Sequence, residues 1–509
     1  MSDPTRLWIA IDGIDMEYEA WLLLRLFFKD DYFMFYPENE SISGSVLFIK
    51  VKNEDIWQCK VEYYSHLEGY DVVRNLSSTR IQPDYSSSVT VSESEINQPG
   101  GRVLKSKKIL AGALIVEVLS KVTGKQLPYG SLTGVRPVKL AMGCIRDGLS
   151  KEDTIKMLVK ATAMNRDKAG LLYDVANAEI PYTKTDARSI HLYVGIPFCT
   201  SKCLYCSFTS YPTGVFKPLI PDYIKALEKE IRFVGQITKN KNLTVRSVYV
   251  GGGTPTSLDS YSLNRVLEIL NETFHIKNIE FTVEAGRPDT ITEEKLKILK
   301  NNDITRISIN PQTMNAATLK TIGRNHTPGD ISNKFLMARE MGFNNINMDI
   351  IAGLPNEDEE MFEYTLERIE EMAPDSLTVH TMAVKRASRL HENINSFQLT
   401  SDNVVEVMTE AARRSAEKMG MRPYYLYRQK NILANLENTG YAKPGLECIY
   451  NINSMEEFQT IIAMGAGAIS KFVSHDGKKI ERTYNVKEVA QYIERLDEML
   501  ERKKAFILR

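Results

Sequence analysis

The sequence predicts an α/β protein centred on a partial (β/α)6 barrel, with a small α/β domain before it and an α+β region after it. Two observations carry this. From His191 onward, short runs rich in Val, Ile and Thr alternate with longer amphipathic stretches, the pattern of parallel strands joined by helices. The alternation runs through six repeats and then stops, short of the eight that close a barrel, so the sheet is expected to stay open.

Composition sets the frame. A chain of 509 residues corresponds to two to four domains of roughly 100–200 residues each. Hydrophobic content of 43% and charged content of 25% suit a chain with a large buried core. The 64 basic and 65 acidic residues leave a net charge of −1, which supplies no pull toward nucleic acid or an anionic membrane. Of six cysteines, Cys59, Cys144 and Cys448 are scattered, the usage of a reduced, cytoplasmic protein. The start, Met1-Ser-Asp-Pro, has no basic or apolar leader segment, so no signal peptide is expected. The most apolar stretches, 20–28 and 109–118, are too short to span a bilayer, and Arg25 interrupts the first.

Taken in order, residues 1–125 read as the small N-terminal α/β domain. Strands are expected at 7–11, 32–36, 45–51 and 56–64, and helices at 18–28 and 102–123, the latter closing at Gly124. The Ser-rich, acidic stretch 84–101, with Pro99 near its end, reads as a loop, and Trp8, Trp21 and Trp57 as core. Residues 126–188 form a helical linker region, with helices at 151–163 and 166–178; Arg136 and Lys139 read as a solvated or ion-paired face. Residues 189–383 hold the six repeats, with strands at 191–196, 246–251, 279–284, 305–310, 345–351 and 376–382. Residues 384–509 form a C-terminal region expected to cover the substrate.

In barrels and doubly wound sheets the chemistry lies at the carboxyl ends of the strands, and the notable residues of this chain fall there. Just past the first strand, Cys199, Cys203 and Cys206 stand as C-x3-C-x2-C. Thiolates are soft ligands, so the spacing suits an iron–sulfur cluster with one iron left for a small molecule. A partial zinc site or simple buried thiols are the alternatives. The second strand runs into Gly251-Gly-Gly-Thr-Pro-Thr256, whose bare backbone lets a ligand approach closely. The third ends at Glu284, a carboxylate able to hold an amine or a ribose diol. The fourth leads to Gln312 and, twelve residues on, Arg324, suited to a bidentate carboxylate contact. Asp349 sits within the apolar fifth strand, where a charge needs a partner. The sixth ends near His380 and Ala383, with Lys385 and Arg386 beyond. His326 reads as a surface or capping residue.

The lead-in Tyr193-Val-Gly-Ile-Pro-Phe-Cys199, the aromatic Tyr205 before the last cysteine, and the Gly251–Thr256 string resemble the radical SAM superfamily. Within it they resemble the oxygen-independent coproporphyrinogen oxidase family, and most closely its HemZ-type coproporphyrinogen dehydrogenases. The resemblance covers about residues 130–480. It implies a radical SAM barrel with a [4Fe–4S] cluster on Cys199, Cys203 and Cys206. It implies one or two molecules of S-adenosyl-L-methionine (SAM) contacting Tyr193, Tyr205, Gly252, Gly253, Thr254, Glu284, Gln312, Arg324, Asp349 and Ala383. It further implies a tetrapyrrole substrate, an electron donor such as flavodoxin or ferredoxin, and conversion of coproporphyrinogen III to protoporphyrinogen IX by a 5′-deoxyadenosyl radical. In the C-terminal region Arg428, Lys430 and Lys471 are candidates to meet substrate carboxylates. Two positions depart from the wider group: Gly195 stands where a His is usual, and Ser207 where the best-known oxidase has a further cysteine. A haem carrier of the HemW type, or a radical SAM enzyme on another tetrapyrrole, are the competing expectations. The HemW-type C-terminal signature is missing, with no His-Asn pair and no tryptophan after Trp57.

Overall fold

Apolar residues that alternate along a strand cover one face, whereas a strand apolar throughout is buried on both. Both kinds occur here, in two separate sheets. The protein is described from a computed structural model, which covers residues 6–36, 42–53, 57–70, 81–134, 136–183, 186, 188–474, 477 and 479–507. It divides into two compact units, Met1–Asn177 and Ala178–Arg509.

The first unit is built on five strands, β1 (Leu7–Asp12), β2 (Phe33–Phe35), β3 (Ile42–Asn53), β4 (Trp57–Tyr70) and β5 (Tyr85–Val91), in the order β2-β1-β3-β4-β5. β1 runs parallel to both neighbours, and β3, β4 and β5 are antiparallel. The stretch expected as a loop is therefore partly regular. β5 pairs with β4 from Trp57↔Val91 to Tyr63↔Tyr85, and a short helix, Glu93–Asn97, opens on a capping box of Ser92 and Glu95. Serines conceal the alternation of β5, and they are tolerated because an edge strand keeps one face wet. The helix expected at 102–123 is split. A 3-10 turn, Gly101–Lys105, precedes the helix Lys107–Thr123, because the Ser106 side chain accepts the Ile109 N–H and restarts it. Gly124, at φ 73°, closes it in the left-handed region. A further helix, Val138–Arg146, lies ahead of the two expected in the linker region. Trp57 is buried as expected, while Trp8 and Trp21 are half-buried, the latter under the Arg25 guanidinium at 4.4 Å.

The second unit carries the six repeats. β6 (Ser189–Ile196) is buried almost throughout and leads into a two-residue pair, β7 (Phe198–Cys199) and β8 (Tyr211–Pro212), in the cysteine loop. Then follow β9 (Thr244–Gly252), β10 (Glu280–Glu284), β11 (Arg306–Ser308), β12 (Ile346–Ala352) and β13 (Ser376–Thr381). β6 and β9 to β13 are parallel neighbours in chain order. Helices such as Ile220–Asn240 and Ser260–Phe274 cross between them and bury their apolar stripes in one large core with the strands. The later chain joins the same sheet at both edges. β14 (Arg422–Tyr427) and β15 (Asn438–Ala442) add antiparallel strands beyond β13. β16 (Thr460–Met464) pairs parallel with β6 and is followed by β17 (Ile469–Val473) and β18 (Ile480–Tyr484). The eleven strands end on β14 and β18 and do not meet, so the barrel is partial and open. No helix among the described residues is long and apolar enough to cross a membrane.

A buried polar cluster anchors the back of β6. Glu230 and Lys503 are 0% and 1% exposed and form an ion pair. Glu230 also accepts the Gly465 N–H at 2.7 Å and the Tyr492 hydroxyl at 2.6 Å. The Tyr223 hydroxyl donates to the Gly195 carbonyl at 2.6 Å and accepts the Ala466 N–H at 3.2 Å. The strand entering the cysteine loop is thereby tied to the outer helices.

Candidate active site

The cysteine loop is held from three sides. The Gly253 and Thr254 N–H groups donate to the Ile196 and Phe198 carbonyls at 2.8 and 2.7 Å, the Leu204 N–H donates to Ile322 at 3.0 Å, and the Leu390 N–H donates to Leu204 at 2.9 Å. Cys199 and Cys203 are buried and Cys206 is half-buried. All three line one cavity of about 300 Å³ at the carboxyl ends of the parallel strands.

Every residue expected to hold the cluster or SAM lines that cavity except Tyr193. Its ring stacks with Tyr249 and Tyr450 at 6.3 and 6.0 Å between centroids. It stands behind Gly252, whose φ of 108° favours glycine; a Cβ there would press on the Tyr193 hydroxyl at 3.2 Å. At Gly253 the fit is closer still, with a Cβ 2.5 Å from the Phe198 carbonyl oxygen.

Two carboxylates of opposite character face each other across the strand ends. Glu284 Oε1 accepts the Tyr249 hydroxyl at 2.6 Å; burial, together with the Asp349 charge, raises its pKa to about 7. Burial also works against Asp349. There the His380 ring, 3.8 Å away, and the Asn347 amide, 2.7 Å away, outweigh burial and hold the carboxyl below its usual range. Gln312 has φ 67°, left-handed for a non-glycine, and its backbone bonds to both Asp349 and Ile351 across β12. Arg324 donates to the Gly286 and Asn310 carbonyls at 2.9 Å each and to the Tyr205 hydroxyl at 3.4 Å, and its buried Nε has no hydrogen-bond partner among the described residues. Ala383 bridges to Ile432 at the rim. Burial raises the pKa of the Cys199 and Cys206 thiols; the Thr254 hydroxyl, 3.5 Å from Cys199 Sγ, offsets part of the first.

Sequence reasoning did not select Arg287, Arg306 or Tyr249, all in the wall. Arg287 clamps the loop: it donates to the Ser201 carbonyl at 3.1 Å, reaches Cys203 Sγ at 3.7 Å, and pairs with Asp289 at 3.1 Å. Its signal was an arginine directly after the strand-end glycine. Arg306 is a charge inside a three-residue buried strand and donates to Asn347 Oδ1 at 3.1 Å and the Leu446 carbonyl at 3.0 Å. Among the proposed carboxylate partners, Arg428 is buried and donates to the Asn435 carbonyl at 2.8 Å, while Lys471 pairs with Glu457 at 3.1 Å. Neither they nor the exposed Lys430 line the cavity. His326, expected at the surface, is buried at 8% exposure, and burial lowers its pKa to about 4.

Residues 193–369 match the model of the radical SAM superfamily. The oxygen-independent coproporphyrinogen-III oxidase-like protein HemZ of Bacillus subtilis strain 168 is 41% identical over 404 residues, 78% of this chain and 81% of that protein. The haem chaperone HemW of the same organism is 30% identical, over 60% of this chain and 76% of its own. The solved structure of coproporphyrinogen III oxidase (HemN) from Escherichia coli aligns with a TM-score of 0.48 at 24% identity, covering 64% of this chain and 73% of that one.

Radical SAM proteins use a [4Fe–4S] cluster and SAM, and the residues present fit both. Three thiols share one wall, the glycine segment is bare where a Cβ would collide, and the buried Arg324 Nε has no hydrogen-bond partner among the described residues. With HemZ matched over most of both chains, the protein belongs to the radical SAM superfamily, among the HemZ-type oxygen-independent coproporphyrinogen-III oxidase-like proteins.

Proposed function

We propose that this protein carries out the oxygen-independent oxidative decarboxylation of coproporphyrinogen III to protoporphyrinogen IX in haem biosynthesis. One observation carries the reading: three thiols, a glycine cradle and the Glu284, Arg324 and Asp349 charges line one cavity in a chain 41% identical to HemZ. When bound, the cluster and SAM supply one-electron removal of a hydrogen atom. The chain's own residues position and shield. Cys199, Cys203 and Cys206 are the thiolate ligands, and Arg287 beside Cys203 adds compensating positive charge. Glu284, as a carboxylate, suits the amino group of SAM, beside the exposed backbone of Gly252, Gly253 and Thr254. Arg324 suits its carboxylate, and Gln312 and Asp349 offer acceptors to ribose hydroxyls. Tyr205 and the Ala383 backbone complete the wall, with Tyr193 supporting the glycines from behind.

For each of two propionates, the side chain gives up a hydrogen atom, carbon dioxide and one further electron to become a vinyl, and an external acceptor takes that electron. A small electron-transfer protein such as flavodoxin or ferredoxin would supply the reducing electron in a reducing cytoplasm. The 30% identity to HemW favours a second reading, a haem carrier.

An anaerobic assay decides between them. The reconstituted protein is given SAM, reductant and coproporphyrinogen III, and porphyrins and 5′-deoxyadenosine are followed together. Vinyl products in step with 5′-deoxyadenosine, lost in Cys203→Ala, are expected. SAM cleavage without decarboxylation would remove this substrate and direct attention to another tetrapyrrole. Stoichiometric haem binding with no substrate-dependent SAM cleavage would favour the carrier.

A further inference from the structure

Phe208 lies two residues past Cys206, and 65% of it is exposed. Among the described residues it is the one strongly exposed large apolar side chain that also lines the site cavity. Its place in the cavity wall offers apolar area to whatever enters. Lys385 lines the same wall just past β13, with its ammonium 5.7 Å from the Phe208 ring centroid. The other cations of the wall are engaged. Arg287 pairs with Asp289, Arg306 donates to amide and backbone oxygens, and Arg324 donates to two carbonyls. Lys385 is half-buried and has no carboxylate or carbonyl within bonding distance among the described residues; the Cys206 thiol is the acidic group that acts on its charge. An aromatic face compensates a desolvated ammonium only in part. An arriving anion would complete the site.

The structure assigns Phe208 and Lys385 as a recognition pair for one carboxylate-bearing pyrrole ring of the substrate: the flat ring packs on Phe208, and its carboxylate takes the Lys385 ammonium. The assignment rests on the proposed tetrapyrrole reading and deepens it by naming which residues read the carboxylate. Both residues adjoin the cysteine loop, so the arm held there lies beside the reacting centre. The pair also takes the place of the earlier candidates Arg428 and Lys471, whose charges are already used within the fold.

The test uses the full-length protein with its cluster reconstituted and coproporphyrin III, the oxidised, fluorescent relative of the substrate, as probe. Fluorescence titration should show Lys385→Gln binding about tenfold more weakly than wild type, the scale of one charge-assisted hydrogen bond. Lys385→Arg should recover most of that loss. The tetramethyl ester of the same porphyrin should bind wild type and Lys385→Gln alike. Phe208→Ala should weaken acid and ester together. Cluster absorbance should match wild type in every variant, which separates recognition from loop integrity. If wild type binds no porphyrin, the tetrapyrrole reading itself falls. If wild type binds and the variants bind equally well, only the pair assignment is overturned. It is equally overturned if Lys385→Gln loses the cluster, or slows its reduction by flavodoxin, while porphyrin binding holds.

Discussion

At Glu284 and Asp349, two carboxylates within one cavity are pushed in opposite directions, and the cause lies in their immediate partners. Glu284 has a tyrosine hydroxyl and burial; Asp349 has an imidazole and an amide. A folded pKa of about 7 against an ordinary 4.5 means the folded state keeps the Glu284 proton over that interval. Glu284 therefore costs the fold nothing below the ordinary value and progressively more as pH rises to about 7. Relative to Glu284→Gln, ligand-free wild type should lose roughly 3 kcal/mol between pH 4.5 and 7.5 in denaturant titrations. A flat difference across that range would show that the side chain is not desolvated as described. Gly253 supports a second prediction. Its missing Cβ would sit 2.5 Å from one backbone oxygen and 2.9 Å from another, and neither can move without displacing the cysteine loop. Gly253→Ala should cost about 1–3 kcal/mol, and iron and sulfide content after reconstitution should drop with it. Residues of this kind were legible in the sequence because they sit at strand ends in recognisable strings. Arg287 and Arg306 were not, because an arginine's partners depend on which loops the fold brings beside it.

Among the elements, the strand that delivers the cysteines is tied to the helices outside it by buried polar groups. The helix Leu496–Ile507 places Lys503 against Glu230 on the helix Ile220–Asn240, and Glu230 holds Gly465 at the end of β16. Removing one partner leaves a buried charge unpaired. Lys503→Met should cost about 3–5 kcal/mol, whereas Glu230→Gln combined with Lys503→Met should cost clearly less than the sum of the single changes. Urea unfolding of the four proteins of that cycle measures the coupling; strict additivity would mean the pair is not electrostatically linked. Periodicity located the six parallel strands and their helices, since short apolar runs alternate regularly with amphipathic ones. It missed β5, where serines mask an edge strand, and it ran two helical pieces together across Ser106.

For the molecule as a whole, an open sheet leaves a cavity at its strand ends, and that cavity collects chemistry from all six repeats and from β14 and β15. Loading with iron, sulfide and SAM should slow hydrogen exchange in the loops that follow β6, β9, β11 and β13, and leave the opposite, amino-terminal ends of those strands unchanged. Equal protection at both ends would argue against ligands seated at the carboxyl end. The sequence by itself determined the parallel-sheet architecture, the cysteine triad and the strand-end residues, because hydrophobic period and ligand spacing are local properties of the chain. Only the tertiary structure decided that the C-terminal strands extend the same sheet, that Tyr193 stands behind the wall, that Arg428 and Lys471 are already engaged, and that Phe208 and Lys385 face the cavity. Pairing, burial and the partner of each charge arise between segments distant in sequence, and no local pattern encodes them.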